Sequence, residues 1–256
     1  MATQRHLNNA PIIEALIDIR VKLRDNFDVQ EFLSLKEALI NNYPVVETRR
    51  EFELGGKIEV GGKREVGKIE QTFADKGIIG YLFKSHDGEK VVQFRKDGFT
   101  FSRLKPYTNW QEVLEEAKRL WKLYVDKASP EVITRIAVRY INQLDIPLPI
   151  NDFARYLTAP PIIPENLPQD VCHFLTKITI LDEKTAIMAN IIQGLQSISK
   201  KDYVAIMLDI DVFKSKESGS IGFTESELWP TFEQLRDLKN RIFSDSITEE
   251  TMRLFE

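Results

Sequence analysis

"PEVITRIAVRYINQLDIP", residues 130–147, alternates apolar and polar side chains through most of its length. A period of two puts successive side chains on opposite faces, the signature of a half-buried strand. Ile136, Val138 and Tyr140 share one face, and Arg135, Ala137, Arg139 and Ile141 share the other. This stretch decides the fold because the chain has already opened in the same way. In "PIIEALIDIRVKL", residues 11–23, Ile17, Ile19, Val21 and Leu23 stand opposite Asp18, Arg20 and Lys22.

The segments after the two strands also correspond. After the first comes a helical pattern in "DVQEFLSLKEALINNY" that starts at Asp28 as N-cap and stops before Pro44. Short strands follow at "VVETRREFEL", "GKIEV", "REVGKIEQTF", "GIIGYLFK", "KVVQFRK" and "GFTFSRL", parted by Gly-rich, "HDGE" and "KDG" turns that predict antiparallel hairpins. Thr108 with Gln111 predicts a capping box for the amphipathic helix "WQEVLEEAKRLWKLYVDK". After the second strand come a short helix ("INDFARYL") and a Pro-rich connector over 158–170, read as an irregular excursion or lid. Three more strands ("CHFLTKITIL", "TAIMANIIQGL", "DYVAIMLDIDVF") precede a second long helix, "LWPTFEQLRDLKNRIF". Thr224 with Glu227 predicts its cap, and Ser246 with Glu249 that of a terminal helix.

Three offsets fit a tandem duplication: Arg139 lies 119 residues after Arg20, Phe153 121 after Phe32, and Phe232 118 after Leu114. The expected fold class is α+β. Two similar halves, 1–129 and 130–256, form one continuous module whose large curved antiparallel sheet is backed by helices. The element order resembles that of the TATA-binding-protein-like and helix-grip families, a resemblance that implies an architecture and no ligand. If the halves correspond, Arg20 matches Arg139, and the two opening strands lie side by side at the sheet's centre. Their polar face then collects Arg20, Lys22, Arg135 and Arg139, opposed by Asp18, Asp209 and Asp211.

Composition narrows the function. The chain has 256 residues, a formal net charge of -4 and 29% charged residues. No global basic field points to nucleic acid or an anionic membrane. The single cysteine, Cys172, excludes an internal disulfide framework and suits a reducing, cytoplasmic location; it reads as buried and inert. No signal peptide is legible, and no run approaches the roughly 18 apolar residues of a membrane span.

Enzyme signatures are sparse. "GGKIEVGGKRE" has the wrong spacing for a phosphate-binding loop and reads as a hairpin turn, and nothing in "SGSIGF" marks Ser220 as a nucleophile. Cys172 and His173 make too few ligands for zinc, with His6 and His86 in unrelated segments. The best catalytic candidates are Asp209 and Asp211 of "LDIDVF", two apart on a strand and therefore about 7 Å apart on one face. Such a pair holds Mg²⁺ or Mn²⁺ in phosphoester chemistry, or pairs with arginine on a neighbouring strand. Arg20, Arg135 and Arg139 either bind a carboxylate or phosphate, or pair with those aspartates. Trp110, Trp121 and Trp229, at helical spacing, read as core. Asn142 reads as a turn or backbone-satisfying residue.

"APIIEALIDIRV", "FSRLKPYTNWQEVLEEAKRLW", "RIAVRYINQLDIP" and "LRDLKNRIFSDSITEETMRLF" together resemble a family of uncharacterised prokaryotic proteins of about this length, sporadically distributed, with "RYIN" and "LKNRIF" the more specific pieces. The resemblance implies a full-length single module and an accessory role in mobile or defence loci, and carries over no catalytic residue.

These readings favour a non-enzymatic binding module without a cofactor. It would engage a protein or anionic small ligand through the open sheet face or the sheet–helix cleft, using Arg20, Lys22, Arg135 and Arg139. The alternatives are a Mg²⁺- or Mn²⁺-dependent phosphoester enzyme centred on Asp209 and Asp211, and a nucleic-acid-binding saddle. A homodimer is expected as a common state for a module of this kind, and no membrane partner.

Overall fold

The computed structural model describes residues 5, 7–58, 69–196, 201–216 and 221–256. The readings of His6, Ser220 and most of the "GGKIEVGGKRE" turn lie outside these residues. Nine antiparallel strands form one sheet: β1 (Ile12–Lys22), β2 (Val45–Ile58), β3 (Ile69–Lys84), β4 (Lys90–Arg95), β5 (Gly98–Leu104), β6 (Val132–Pro147), β7 (Leu175–Asp182), β8 (Ile187–Leu195) and β9 (Tyr203–Ser215). Their spatial order is β2-β3-β4-β5-β1-β6-β9-β8-β7. The two opening strands are neighbours in the middle of the sheet, and each is flanked by the last strand of its own half.

Two long helices, α2 (Trp110–Ala128) and α3 (Glu225–Ser246), cover one face, α2 over β1 and β5 and α3 over β6 and β9. Ile17 and Ile19 of β1, Ile136, Val138 and Tyr140 of β6, and Ile206, Leu208 and Ile210 of β9 are buried beneath them. The stripe read from the α2 sequence is the buried one: Val113, Leu114, Ala117, Leu120, Trp121 and Tyr124 all face the sheet. Phe32, Phe94 and Phe99 pack against Tyr124 with ring centroids 5.3 to 6.3 Å apart. Trp110 and Trp121 are buried, and Trp229 packs against the same core.

Some boundaries differ from the sequence reading. The four strands expected between residues 45 and 84 are two, β2 and β3, because the turn signals near Gly55 and Gly77 fall within the strands. The β2–β3 register slips near Gly77 without ending the ladder. The first expected helix is a 3₁₀ turn, Val29–Ser34, followed by the short α1 (Leu35–Leu39), with Asp28 accepting Gln30 N–H at 2.9 Å as read. The N-cap of α2 is Asn109, not Thr108, since the Asn109 Oδ1 accepts Glu112 N–H at 2.9 Å. Thr224 does begin α3, with Glu227 reaching back to its N–H at 2.8 Å. For the terminal α4 (Glu249–Arg253) the cap is Thr248 rather than Ser246, which remains in α3. "INDFARYL" yields one 3₁₀ turn, Phe153–Arg155. Cys172 is exposed, not buried, because it precedes the edge strand β7, where little packs over the chain.

No helix among the described residues is long and apolar enough to cross a membrane.

Candidate functional site

The sheet face turned away from the helices carries every residue singled out by strand parity. In register across the sheet, Arg49 of β2 stands opposite Gly80, Gly80 opposite Arg95, Arg95 opposite Gly98, Gly98 opposite Arg20, and Arg20 opposite Arg135. Glycine on the intervening strands makes this arginine row possible. A Cβ at Gly80 would lie 2.4 Å from the Phe94 carbonyl oxygen and 3.0 Å from Arg95 Cγ. At Gly98 it would lie 2.3 Å from the Ile19 oxygen, with φ at +154° besides. Arg139 stands two same-face positions along β6 from Arg135, with Ala137 between, opposite Leu16 and Asp211.

These guanidiniums are engaged by aspartates. Asp18, buried at 6% exposure, accepts from Arg20 Nε at 3.0 Å, Arg135 Nη1 at 3.2 Å, Arg95 Nη2 at 3.2 Å and the Thr100 hydroxyl at 2.8 Å. Arg135 also forks onto Asp211 at 2.9 and 3.1 Å while its guanidinium lies 4.4 Å from the Phe213 ring centroid. Arg139 grips Asp209 through Nε at 2.8 Å and Nη2 at 2.5 Å, which holds the guanidinium above its ordinary pKa. Asp97 joins Arg95 at 2.8 Å to Arg20. Lys22, at the exposed end of β1, stands apart from this network.

Asp209 and Asp211 do share a face, as read, and the oxygens of both accept from guanidiniums. No group of three or more His, Cys, Asp or Glu side chains suited to a metal ion occurs among the described residues. The structure thus brings Arg20, Arg135, Arg139, Asp209 and Asp211 together as cross-strand ion pairs, the arrangement that offers least to an outside ligand.

A cleft lies on the other side of the sheet. It sits between the sheet and the facing ends of α2 and α3, with a volume of about 450 Å³. One wall is the N-terminal arm, tied down by Asn9 N–H to the Phe255 oxygen (3.1 Å) and by Gln143 N–H to the Pro11 oxygen (2.8 Å). Tyr107, Trp110, Tyr140, Arg236 and Lys239 form the opposite side. Among the described residues, Arg5, Arg236 and Lys239 are the cations that line the cleft, and no carboxylate lines it. Arg5 is occupied by Glu249 and Glu256 at 2.9 and 2.5 Å. Arg236 lies 5.8 Å from the Trp110 ring centroid and 3.4 Å from Glu233, whose carboxylate also accepts the Trp110 indole N–H at 2.8 Å.

Lys239 is 9% exposed and has neither an ion pair nor a hydrogen bond; its ammonium lies 3.8 Å from the centroid of the Tyr140 ring. Lys239 and the Tyr140 ring it covers both line the cleft. Burial first, and Arg236 second, push its pKa down to about 7. Tyr140 bonds to Tyr107 hydroxyl to hydroxyl at 3.3 Å, and burial holds both above their ordinary pKa. Asn142 serves the backbone as read, donating to the Leu208 oxygen at 3.0 Å.

The sequence reading missed Lys239, although a signal was present. In α3 the buried positions Leu228, Phe232, Leu235 and Ile242 recur at heptad spacing, and Lys239 stands one heptad after Phe232, within the apolar stripe. All four segments quoted for the family resemblance contribute residues to this cleft. No family model matches the chain, and no curated protein matches it.

Proposed function

We propose that this protein is a non-enzymatic binding module that takes a small anionic ligand in the sheet–helix cleft. One observation carries the reading: Lys239 is an almost buried cation without a counter-charge, in a cleft lined by other cations and by no carboxylate. A buried charge is ordinarily paired, because desolvating it alone costs several kcal/mol. An anion entering the cleft would supply the missing partner. The volume suits a small molecule rather than a polymer.

The arginines of the open face become scaffold in this reading, since their charges are already met. The metal-dependent alternative at Asp209 and Asp211 draws no support from carboxylates held by Arg139 and Arg135. A duplicated origin for the two halves belongs to the same proposal, supported by the way strands flank the central β1–β6 pair.

Thermal unfolding and calorimetry with propionate and inorganic phosphate test the function. At a hundred times Kd, the expected stabilisation is about 2.7 kcal/mol, a rise of several degrees in Tm. Lys239→Met should abolish the rise, and Arg139→Gln should leave it in place. A rise that survives Lys239→Met, or none with either anion, would refute the reading.

A further inference from the structure

We propose that Lys239 is an imine-forming amine and that the ligands of the cleft are small 2-oxo carboxylates. This rests on the anion-binding reading above and adds the carbonyl to it. A purely electrostatic anion site is served by any exposed lysine or arginine, whereas this lysine is enclosed, set over an aromatic face and part of the cleft lining. Enclosure favours the neutral amine, and only the neutral amine is a nucleophile. Its pKa of about 7 leaves roughly half of it neutral at neutral pH. The titratable and charged groups around it are Arg236 on its own helix, with Glu233 behind; Tyr140 from β6; Tyr107 from the segment before α2; and Arg5 from the arm, already paired with Glu249 and Glu256.

Each part of a 2-oxo acid then has a partner. Arg236, one turn before Lys239 on α3 and only loosely held by Glu233, presents its guanidinium to the carboxylate. The keto carbon meets Lys239 Nζ. The Nζ lone pair forms the C–N bond while the carbonyl π pair moves to oxygen, which takes up a proton. The nitrogen then releases a proton, giving a neutral carbinolamine. Its hydroxyl leaves as water, protonated from the Tyr107–Tyr140 hydroxyl pair, as the nitrogen lone pair closes the C=N bond. The iminium proton and solvent restore the tyrosine. Overall, amine plus ketone gives imine plus water, with no oxidation or reduction. Burial keeps both tyrosines protonated and makes them weaker acids, so the transfer is concerted with C–O cleavage, to a departing hydroxide more basic than a phenolate.

The test is reductive trapping. The full chain is incubated with pyruvate and sodium cyanoborohydride near pH 7, and the adduct is located by peptide mass mapping. The expected result is one reduced adduct, on the peptide containing Lys239, formed more slowly when propionate is in excess and missing from Lys239→Met. In Arg236→Gln the preference for pyruvate over propionaldehyde should fall about tenfold, the loss expected for one charge-assisted contact. If propionate raises Tm but pyruvate leaves no adduct at Lys239, the imine is overturned and the anion site stands. If adducts spread evenly over exposed lysines, the special amine is overturned. If propionaldehyde traps at Lys239 as readily as pyruvate, the 2-oxo carboxylate class is overturned. If neither anion binding nor trapping is seen, both readings fall.

Discussion

Replacing Lys239 with methionine is expected to stabilise the protein, by an amount that depends on pH. Lysine titrates from a reference of 10.5, and burial, then Arg236, bring Lys239 down to about 7. Between those values the unfolded chain binds this proton more tightly than the folded one, so wild-type stability rises with pH across the window. The slope approaches about 1.4 kcal/mol per pH unit, which integrates to about 2.3 kcal/mol from pH 7 to 9 and about 2.7 kcal/mol from pH 6 to 9. Below pH 7 both states carry the proton, and the folded state bears the whole cost of an unpaired buried ammonium. Lys239→Met keeps the length and apolar stem of the side chain and carries no charge. It should therefore exceed the wild type in stability at pH 6, with the margin shrinking by about 2.7 kcal/mol by pH 9. Groups common to both proteins cancel in this difference. Urea unfolding at unit pH steps gives the margin directly, provided the slope with denaturant is the same for both chains. Measurements stay below pH 9.5, because buried Tyr124 and Tyr140, whose pKa values are raised, make the fold lose stability once the unfolded tyrosines ionise. A margin that does not change with pH, or a methionine variant less stable at pH 6, would show that Lys239 is not an uncompensated charge.

Anion binding should be linked to proton uptake. Calorimetry of propionate in buffers of differing ionisation enthalpy should show a fraction of a proton bound at pH 7 and up to one at pH 8, with affinity falling as pH rises. Zero uptake would dissociate the anion from Lys239. Asp18→Asn should cost roughly 1 to 3 kcal/mol in urea unfolding, because it removes the charge shared by three guanidiniums and leaves Arg95, 3% exposed, with Asp97 as its remaining carboxylate. A loss under about 1 kcal/mol would put the Asp18 network in the class of solvated surface pairs. Gly98→Ala should cost several kcal/mol or prevent folding, since both its φ and its distance to the Ile19 oxygen forbid a Cβ. Near wild-type stability in that variant would contradict the β1–β5 register.

The sheet was legible because a strand with one covered face must alternate. Residues 11–23 and 130–147 therefore declared which side chains lie under the helices and which lie opposite, and the neighbouring strands followed. Strand ends were less legible: Gly77 carries the same letter whether it turns the chain or sits in a slipped register, and the pairing partner decides. The arginines and the aspartates opposing them were found, and pairing between them was one of the two readings; parity gives a shared face and not the diagonal reach by which Arg139 takes Asp209 rather than the facing Asp211. A sheet–helix cleft was expected, but its lining escaped, because an arm, a loop before α2 and two helix ends build it, and none of these shares a period. Only Lys239, a cation in the phase of Phe232, broke a pattern that could be read beforehand.

The two faces of the sheet handle buried charge in opposite ways, and this locates function. On the open face Asp18 and Asp209, 6% and 4% exposed, each have guanidinium partners, so removing one member of a pair strands the other and destabilises the fold. On the helix face Lys239 has no partner, so removing it relieves the fold. On the proposed reading, a side chain whose loss stabilises the fold is completed by a ligand from outside the chain. Arg139→Gln and Lys239→Met should therefore shift stability in opposite directions at pH 6, the first downward because buried Asp209 loses its guanidinium. That opposition separates scaffold from site without knowledge of the ligand.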